Sequence, residues 1–335
     1  MVSGDVLTLN AGDVRLLLDG CEQEILTATA AAYRAHGRGE SSLPHSLFLR
    51  FPADERNRII ALPAYLGDGF GIAGMKWISS FPANLELGLN RASAVIILNS
   101  ASTGQPQAII EGSLVSAKRT AASAALAASH LAAQEPRAVG IIGCGPINYE
   151  VTRFLLAVWP ALKRFYVFDV DAERAKQFKQ RCQGLNVEAE VVRELTTALR
   201  KSEVISFATT AGTPHVSSLS ECIPGSTILH ISLRDLSPEV ILSCDNVVDD
   251  VAHVCRAQTS IHLASQWTGN TYFIRCTLAD ILEGRAAARN DKQALTVFSP
   301  FGLGVLDLAV AHLVVERAAE QRRGTLLKNF LAATN

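Results

Sequence analysis

The sequence predicts an α/β protein, a doubly wound parallel sheet joined to a mixed α+β domain, and three observations carry that expectation. One glycine turn is set between an apolar strand and a helix; strands and helices then alternate for more than a hundred residues; and the first third of the chain is rich in strands of another pattern. Ala138-Val139-Gly140-Ile141-Ile142 is an apolar strand running into Gly143-Cys144-Gly145. Gly143 lets the chain turn tightly and Gly145 lets the backbone approach phosphate oxygens. The helix opening at Pro146, Ile147 and Asn148 points its unpaired N–H groups and positive dipole end at an anion. Apolar spacing continues from Val151 to Val158, and the next strand, Phe165-Tyr166-Val167-Phe168, ends in Asp169, a carboxylate placed for the ribose hydroxyls of a dinucleotide. Asn148 occupies the third glycine position of the fingerprint, so helix and strand are expected to approach less closely there. A short αβ turn with no ligand is the plain alternative, and the complete order of strand, turn, helix, strand and acid speaks against it.

Beyond Pro136 the alternation runs Ala138 to Ile142, Val151 to Val158, Arg164 to Phe168, Ala172 to Cys182, Val187 to Val192, Leu195 to Lys201, Glu203 to Ala208, Thr227 to Ser232 and Asn246 to Asp249. This is the pattern of a Rossmann sheet. Before it come an opening strand (Leu7 to Leu9), one amphipathic helix (Val14 to Ala35) and strand-like runs at Ser46 to Phe51, Arg58 to Pro63, Gly71 to Ser79, Ala94 to Asn99 and Gln107 to Glu111. Turns fall at Gly67-Asp68-Gly69, Phe81-Pro82 and Ser102-Thr103-Gly104. From Ser113 to Ala133 the composition turns to alanine, serine and leucine, a long helix expected to bridge two domains. Leu306 to Ala319 is a last apolar helix, expected to return to the first domain. The expected division is 1–128 with 304–335 for substrate binding and dimerisation, and 129–303 for the dinucleotide.

Composition narrows the partners. A chain of 335 residues, 48% of them apolar, can bury two cores. Lysine plus arginine (31) nearly cancels aspartate plus glutamate (32), which leaves no basic field for a nucleic acid or an anionic membrane. Small molecules and copies of the chain itself are the expected partners. No basic stretch precedes an apolar core near the N-terminus, and the run Ala121 to Ala133 is broken by Ser123, Ser129 and His130, so neither a signal peptide nor a membrane span is expected and the chain reads as cytoplasmic. The seven cysteines form no C-x-x-C pair and fit reduced thiols; no metal site is expected among the eight histidines.

Several polar residues are candidates for ligands. Lys76 is expected at the end of a strand, flanked by Met75 and Trp77, and Arg119 sits among small residues of the bridging helix. A guanidinium can hold a carboxylate with two parallel hydrogen bonds, and an ammonium acts as a compact charge and proton partner. The plain alternatives are an exposed helical arginine and an exposed strand end. Trp77 reads as core. Asp169 accepts from ribose hydroxyls and repels a 2′-phosphate, which favours NAD over NADP. Thr209 and Thr210 follow a strand at the carboxyl edge of the sheet, where a dinucleotide crosses, and are either cofactor contacts or ordinary loop residues. Thr120 is a candidate phosphate contact in the cleft expected between the domains.

The segments Gly74-Met75-Lys76-Trp77-Ile78, Ala94-Val95-Ile96-Ile97-Leu98-Asn99 with Thr103-Gly104-Gln105-Pro106, Arg119-Thr120-Ala121-Ala122, the glycine turn and Val297-Phe298-Ser299-Pro300-Phe301-Gly302 together resemble the ornithine cyclodeaminase/mu-crystallin family over nearly the whole chain. Arg58-Ile59-Ile60-Ala61-Leu62-Pro63, Asn90-Arg91-Ala92-Ser93 and His230-Ile231-Ser232-Leu233 are most similar to the branch that makes 2,3-diaminopropionate. That branch uses NAD to oxidise N-(2-amino-2-carboxyethyl)-glutamate to 2-oxoglutarate and 2,3-diaminopropionate for siderophores and peptide antibiotics. The resemblance implies a homodimer, a cofactor contact at Gly302, and a substrate whose three carboxylates are shared by Arg119, Arg91 and Arg50, the last two having surface salt bridges as their plain alternative. It implies a secondary amine held by Lys76, hydride loss from the glutamyl Cα, and water attack on the resulting imine. Cyclodeaminases that resemble this chain carry an aspartate where Leu233 stands here, and leucine can neither accept a proton nor pair with an ammonium group. Asp235, two residues on, could swing in to replace it. Lys76 and Asp235 are thus the two candidate catalytic bases. A cyclodeaminase, a ketimine reductase or alanine dehydrogenase, and a non-catalytic cofactor-binding protein remain the alternatives.

Overall fold

The computed structural model describes residues 4–332 and divides the chain into two compact units, Met1–Arg119 with Leu303–Asn335, and Thr120–Gly302. In the first unit the strands are β1 (Val6–Leu9), β2 (Ser41–Ser42), β3 (Leu47–Phe51), β4 (Asp54–Leu66), β5 (Ile72–Ser80), β6 (Ala92–Ser100) and β7 (Pro106–Glu111), with a terminal strand Thr325–Leu327. They form one sheet in the order terminal strand, β1, β7, β6, β5, β4, β2, with β3 also on β4; only the β1–β7 pair is parallel. The helix Gly304–Gln321 packs on β4, β5, β6 and the helix Glu22–Gly37, so the chain's last apolar helix fills the core of the unit built from its first residues. Period-two alternation sorts the side chains of the sheet. Leu62, Lys76, Ile96 and Ile110 are paired in register across β4, β5, β6 and β7 and are all buried on the inner face.

The opposite row runs through Leu47, Ala61, Trp77 and Val95. Leu47, Trp77 and Val95 are exposed there, as is Leu49 farther along β3. Trp77 is therefore not core: at 41% exposure it lies on the outer face because its neighbour Lys76 faces inward. Lys76 itself stands in the middle of β5, not at a strand end. The single helix expected over 14–35 is two, α1 (Ala11–Leu18) and α2 (Glu22–Gly37). Gly20 between them takes φ of +71°, a left-handed conformation that ends a helix. Asn10 starts α1 by accepting the N–H groups of Gly12 and Asp13, with Asp13 closing a capping box. The turn at Phe81-Pro82 is the start of a short 3-10 helix, Pro82–Leu87.

Helix α3 (Gly112–Leu131) carries the chain into the second unit. Its strands are β8 (Ala138–Ile142), β9 (Arg164–Phe168), β10 (Glu188–Val191), β11 (Val204–Phe207), β12 (Thr227–His230), β13 (Asp245–Val248), β14 (Ile274–Thr277) and β15 (Thr296–Ser299). They form a wholly parallel sheet in the order β10, β9, β8, β11, β12, β15, β13, β14. The order reverses at β8, where such sheets hold ligands outside the strands' carboxyl ends. Burial on both faces runs unbroken along β8, β11 and β15 and explains the apolar run of β8. β14 and the terminal strand, whose side chains are mostly half-exposed, were not expected from the sequence, nor was the fully buried β15. In the first unit, Leu308 lies fully buried on the helix that packs over the sheet. Leu308→Ala should cost about 2–5 kcal/mol of stability through lost burial and the cavity left behind, seen in urea unfolding as a lower midpoint at unchanged slope.

Candidate functional site

In the second unit the glycine turn at the end of β8 is built around two contacts. Gly143 takes φ of +88°, and a Cβ there would lie 2.6 Å from the Ala208 carbonyl oxygen, so only glycine fits. A Cβ on Gly145 would meet nothing within 4 Å, which leaves open space beside the turn for an approaching phosphate. Helix α4 (Pro146–Val158) begins right after it, with Pro146 exposed, Ile147 half-buried, and the first-turn amides at its N-terminus. Asp169 is tied to the same turn: its carboxylate accepts the Cys144 N–H at 2.7 Å and the Asp171 N–H at 3.0 Å. An anion-friendly turn and a fixed carboxylate at the neighbouring strand end are what a dinucleotide's pyrophosphate and ribose require. The residues fit the cofactor.

Asn148 does something else. It is fully buried and donates from Nδ2 to the carbonyls of Ile142 (2.9 Å) and Gly143 (2.7 Å), while Oδ1 accepts the Ser206 hydroxyl at 2.7 Å. The side chain that displaces the third glycine thus staples the turn to β11 from behind, so the cofactor contact expected of it is replaced by a structural one. Gly302 is likewise buried, and its N–H is taken by Asp249 at 2.7 Å, beside that of Phe301 at 2.9 Å. Burial pushes the Asp249 carboxyl up to about 6, against the lowering effect of those N–H donors. Thr210 is exposed, and Thr120 is half-buried on α3.

At the same carboxyl edge, the loops after β11 and β12 are pinned together. The N–H groups of His215 and Val216 both donate to the Asp235 carbonyl, at 2.9 and 2.8 Å. Asp235 is fully buried, and its carboxylate accepts the Thr209 and Ser232 hydroxyls and lies 3.1 Å from His215 Nε2. Its N–H donates to His230 Nε2 at 3.1 Å, and His230 Nδ1 meets the Ser299 hydroxyl at 3.1 Å. Burial alone would raise the Asp235 carboxyl, but the His230 ring and the two hydroxyls outweigh it and hold it well below the usual carboxylate range. A swing of Asp235 out of the fold breaks all of these contacts, and a carboxylate so firmly ionised is a weak proton acceptor at neutral pH. The expected catalytic base at Asp235 is at odds with this setting.

In the first unit Lys76 and Arg119 converge on one acid that sequence reasoning missed. Lys76 Nζ donates to Asp307 Oδ2 at 2.7 Å and to the Ser116 hydroxyl at 3.1 Å, and Arg119 Nε donates to Asp307 Oδ1 at 2.9 Å. Exposure is 2% for Lys76, 7% for Arg119 and 0% for Asp307. The signal for Asp307 was legible as the lone acid in the apolar run 304–315. Arg119 is thus no exposed helical arginine, and the partner that a buried Lys76 demands is already inside the protein. Burial, reinforced by Arg119 and opposed by Asp307, pulls the Lys76 ammonium down to about 8. Burial would raise Asp307, yet the two cations hold it below its ordinary value. Two cations on one acid leave one positive charge.

More cations lie along the same face. Arg50 and Arg58 are opposite one another in register on β3 and β4, and both share the sheet face of Leu62 and Lys76. Arg50 is exposed, with its guanidinium 5.8 Å from the Phe48 ring centre. Like charges placed directly opposite are destabilising. Arg91, just before β6, is half-buried, and burial lowers its guanidinium.

A family model described as the ornithine cyclodeaminase/mu-crystallin family matches residues 13–322. The chain belongs to this family. Among its relatives, N-((2S)-2-amino-2-carboxyethyl)-L-glutamate dehydrogenase of Staphylococcus aureus is 29% identical, over 97% of this chain and 99% of that protein. Alanine dehydrogenase of Archaeoglobus fulgidus is 28% identical over 97% of this chain and 99% of that protein. Among solved structures, the Δ1-pyrroline-2-carboxylate reductase of Thermococcus litoralis, in complex with NADH and L-proline, is similar with a TM-score of 0.90 and 27% identity, covering 96% of this chain and 99% of that one. Like that structure, the chain has the family's α/β architecture. Among its described residues no helix is long and apolar enough to cross a membrane.

The setting of Lys76 gives a pH signature. Its folded value of about 8 lies below the ordinary 10.5, so between these the unfolded chain holds a proton that the folded chain has lost. Raising the pH removes the unfolded state's advantage, and stability rises. Across pH 8 to 10.5 the unfolding free energy of the wild type should gain on that of Lys76→Met, as measured by urea titrations at each pH.

Proposed function

We propose that this protein oxidatively cleaves N-(2-amino-2-carboxyethyl)-L-glutamate to 2-oxoglutarate and L-2,3-diaminopropionate, a precursor for siderophores or peptide natural products. It is an NAD-dependent oxidoreductase of amino-acid C–N bonds. The observation that carries the substrate reading is the excess of cations on one sheet face. Lys76 and Arg119 share the single acid Asp307, Arg50 stands on the same sheet face, and half-buried Arg91 lies just before β6. A substrate with three carboxylates matches that excess, whereas alanine or proline, with one, does not. The similarity to the Staphylococcus aureus dehydrogenase supports the same choice.

Bound NAD supplies the hydride acceptor. The turn from Gly143 to Ile147 receives its pyrophosphate and Asp169 its ribose diol, which favours NAD over NADP. Thr209, Thr210 and Thr120 are further contacts in this reading. Arg119 keeps its terminal guanidinium nitrogens for a carboxylate while Nε stays on Asp307. Arg91 and Arg50 take the other carboxylates. With its ammonium lowered to about 8, Lys76 is neutral in a fraction of molecules near neutral pH, and in that form it takes the proton from the substrate's secondary ammonium, freeing the lone pair that drives hydride loss from Cα.

A cyclodeaminase would need an acid at position 233. Leu233 is buried there, and Asp235 is committed to Thr209, Ser232 and His215. For quaternary structure we propose a homodimer through the outer face of the first unit's sheet, where Leu47, Leu49, Trp77 and Val95 are exposed. The archaeal alanine dehydrogenase among the solved structures is described as a dimer.

NADH should accumulate with N-(2-amino-2-carboxyethyl)-L-glutamate, together with one equivalent of 2-oxoglutarate; ammonia and proline from ornithine without net NADH would replace this reading with the cyclodeaminase. Lys76→Met should abolish turnover while leaving NAD binding intact by calorimetry, and unchanged turnover would remove Lys76 from the site. Asp169→Ala should raise the KM for NAD about tenfold, the loss of one or two charge-assisted hydrogen bonds, and narrow the gap to NADP in the same assay.

A further inference from the structure

The reaction proposed above contains a hydrolytic step, and neither Lys76 nor Asp235 is placed to serve it: Lys76 is committed to the substrate amine, and Asp235 is buried and firmly ionised. We propose that His215 is the proton acceptor for the hydrolytic water, and that Asp235 is the positioning residue that holds its ring. This inference rests on the oxidative-cleavage reading and deepens it.

Three observations converge. The first is place. His215 and Asp235 belong to the loops that leave the carboxyl ends of β11 and β12, and β11 is the direct neighbour of β8, whose carboxyl end carries the glycine turn. The dyad therefore lies on the ligand-binding edge of the parallel sheet. Thr209 joins it there, since the Thr209 hydroxyl donates to the same Asp235 oxygen that faces His215.

The second is orientation. His215 Nε2 lies 3.1 Å from a carboxylate with no exposure of its own, whereas the histidine side chain is 44% exposed. The ring's inner edge is thus fixed and its outer edge is the part that solvent reaches. An ionised Asp235 can only accept, so Nε2 carries the proton and Nδ1 presents its lone pair. A buried carboxylate orienting an imidazole whose other nitrogen takes a proton is the arrangement that general-base catalysis uses repeatedly.

The third is rigidity. The backbone of His215 is hydrogen-bonded to Asp235, Val216 and Leu236 form a parallel bridge, and Asp235 is also held by Ser232 and by its own N–H on His230. Among the described residues, the charged or titratable groups in contact with His215 are Asp235 directly and His230 through it. A loop histidine serving only solubility needs none of this support.

The step balances as follows. With NAD as the hydride acceptor that the proposed reaction would supply, loss of hydride from the glutamyl Cα would leave a carbon–nitrogen iminium on the substrate. Water oxygen bonds to that carbon, the π electrons return to nitrogen, and one water proton passes to His215. The imidazolium then gives its proton to the nitrogen, the carbon–nitrogen bond breaks toward nitrogen, and the remaining hydroxyl becomes the ketone of 2-oxoglutarate as its proton leaves to solvent.

The test separates hydride transfer from hydrolysis in full-length His215→Gln, a change at a part-exposed site that keeps a donor for Asp235 and removes the base. NADH from the first turnover should persist. Release of 2-oxoglutarate should fall by about a hundredfold or more, the usual contribution of a general base. Quenching with sodium borodeuteride should then return parent amine labelled at Cα in amounts the wild type does not give, a readout independent of turnover. A His215→Gln enzyme that releases 2-oxoglutarate in step with NADH as the wild type does, without labelled amine, overturns the assignment. A wild type that forms no NADH from this amine fails earlier, and overturns the oxidative-cleavage reading together with the step built on it.

Discussion

A carboxylate without exposure, Asp307, stands between two buried cations, and the inner face of the first unit depends on it. An isolated ammonium in that environment would be strongly disfavoured, and two neighbouring cations would be worse. Asp307 makes the arrangement possible by bonding Lys76 with one oxygen and Arg119 with the other. The compensation is incomplete by one charge, and burial, reinforced by Arg119, lowers Lys76 to about 8. A structural salt bridge would be expected to close its charge balance; this one leaves a positive centre beside Ser116, on a sheet face that also bears Arg50 and Arg58.

The second unit solves a different problem, that of a tight turn that must stay open to a ligand. Its front carries little more than backbone, Gly143, Cys144 and Gly145, with Asp169 fixed by the Cys144 amide. Rigidity comes from behind, where buried Asn148 binds the carbonyls on either side of the strand end and the Ser206 hydroxyl of the next strand. The loops after β11 and β12 follow the same logic. Buried Asp235 gathers hydroxyls and imidazoles from three segments and leaves one ring edge exposed.

Much of this was legible in the chain. The strand–turn–helix–strand–acid order from Ala138 to Asp169 is local, and each residue's role follows from its neighbours, so the glycine turn and Asp169 were readable directly. Lys76 and Arg119 were recognisable as buried cations because they stand among small or apolar residues. Other features failed for identifiable reasons. The helix expected over 14–35 was a valid apolar pattern interrupted by one backbone conformation at Gly20. Trp77 looked like core because its residue type is usually buried, and only the inward direction of Lys76 fixes it on the outer face. Asn148 and Gly302 sit within ligand motifs, yet their polar groups are spent on partners near in space, Ser206 and Asp249.

By itself the sequence determined the α/β class, the dinucleotide turn and the two central cations, since these rest on backbone propensity, period-two or helical spacing, and the cost of burying charge. Tertiary structure alone decided which acid meets Lys76 and Arg119, since Asp307 lies 231 and 188 residues away along the chain. It alone also set the buried Asp235 carboxylate against Thr209, Ser232 and His215. Both outcomes have one physical reason: a charge's role is set by what surrounds it in three dimensions, and spacing along the chain carries no record of contacts made by strands and helices folded back from elsewhere.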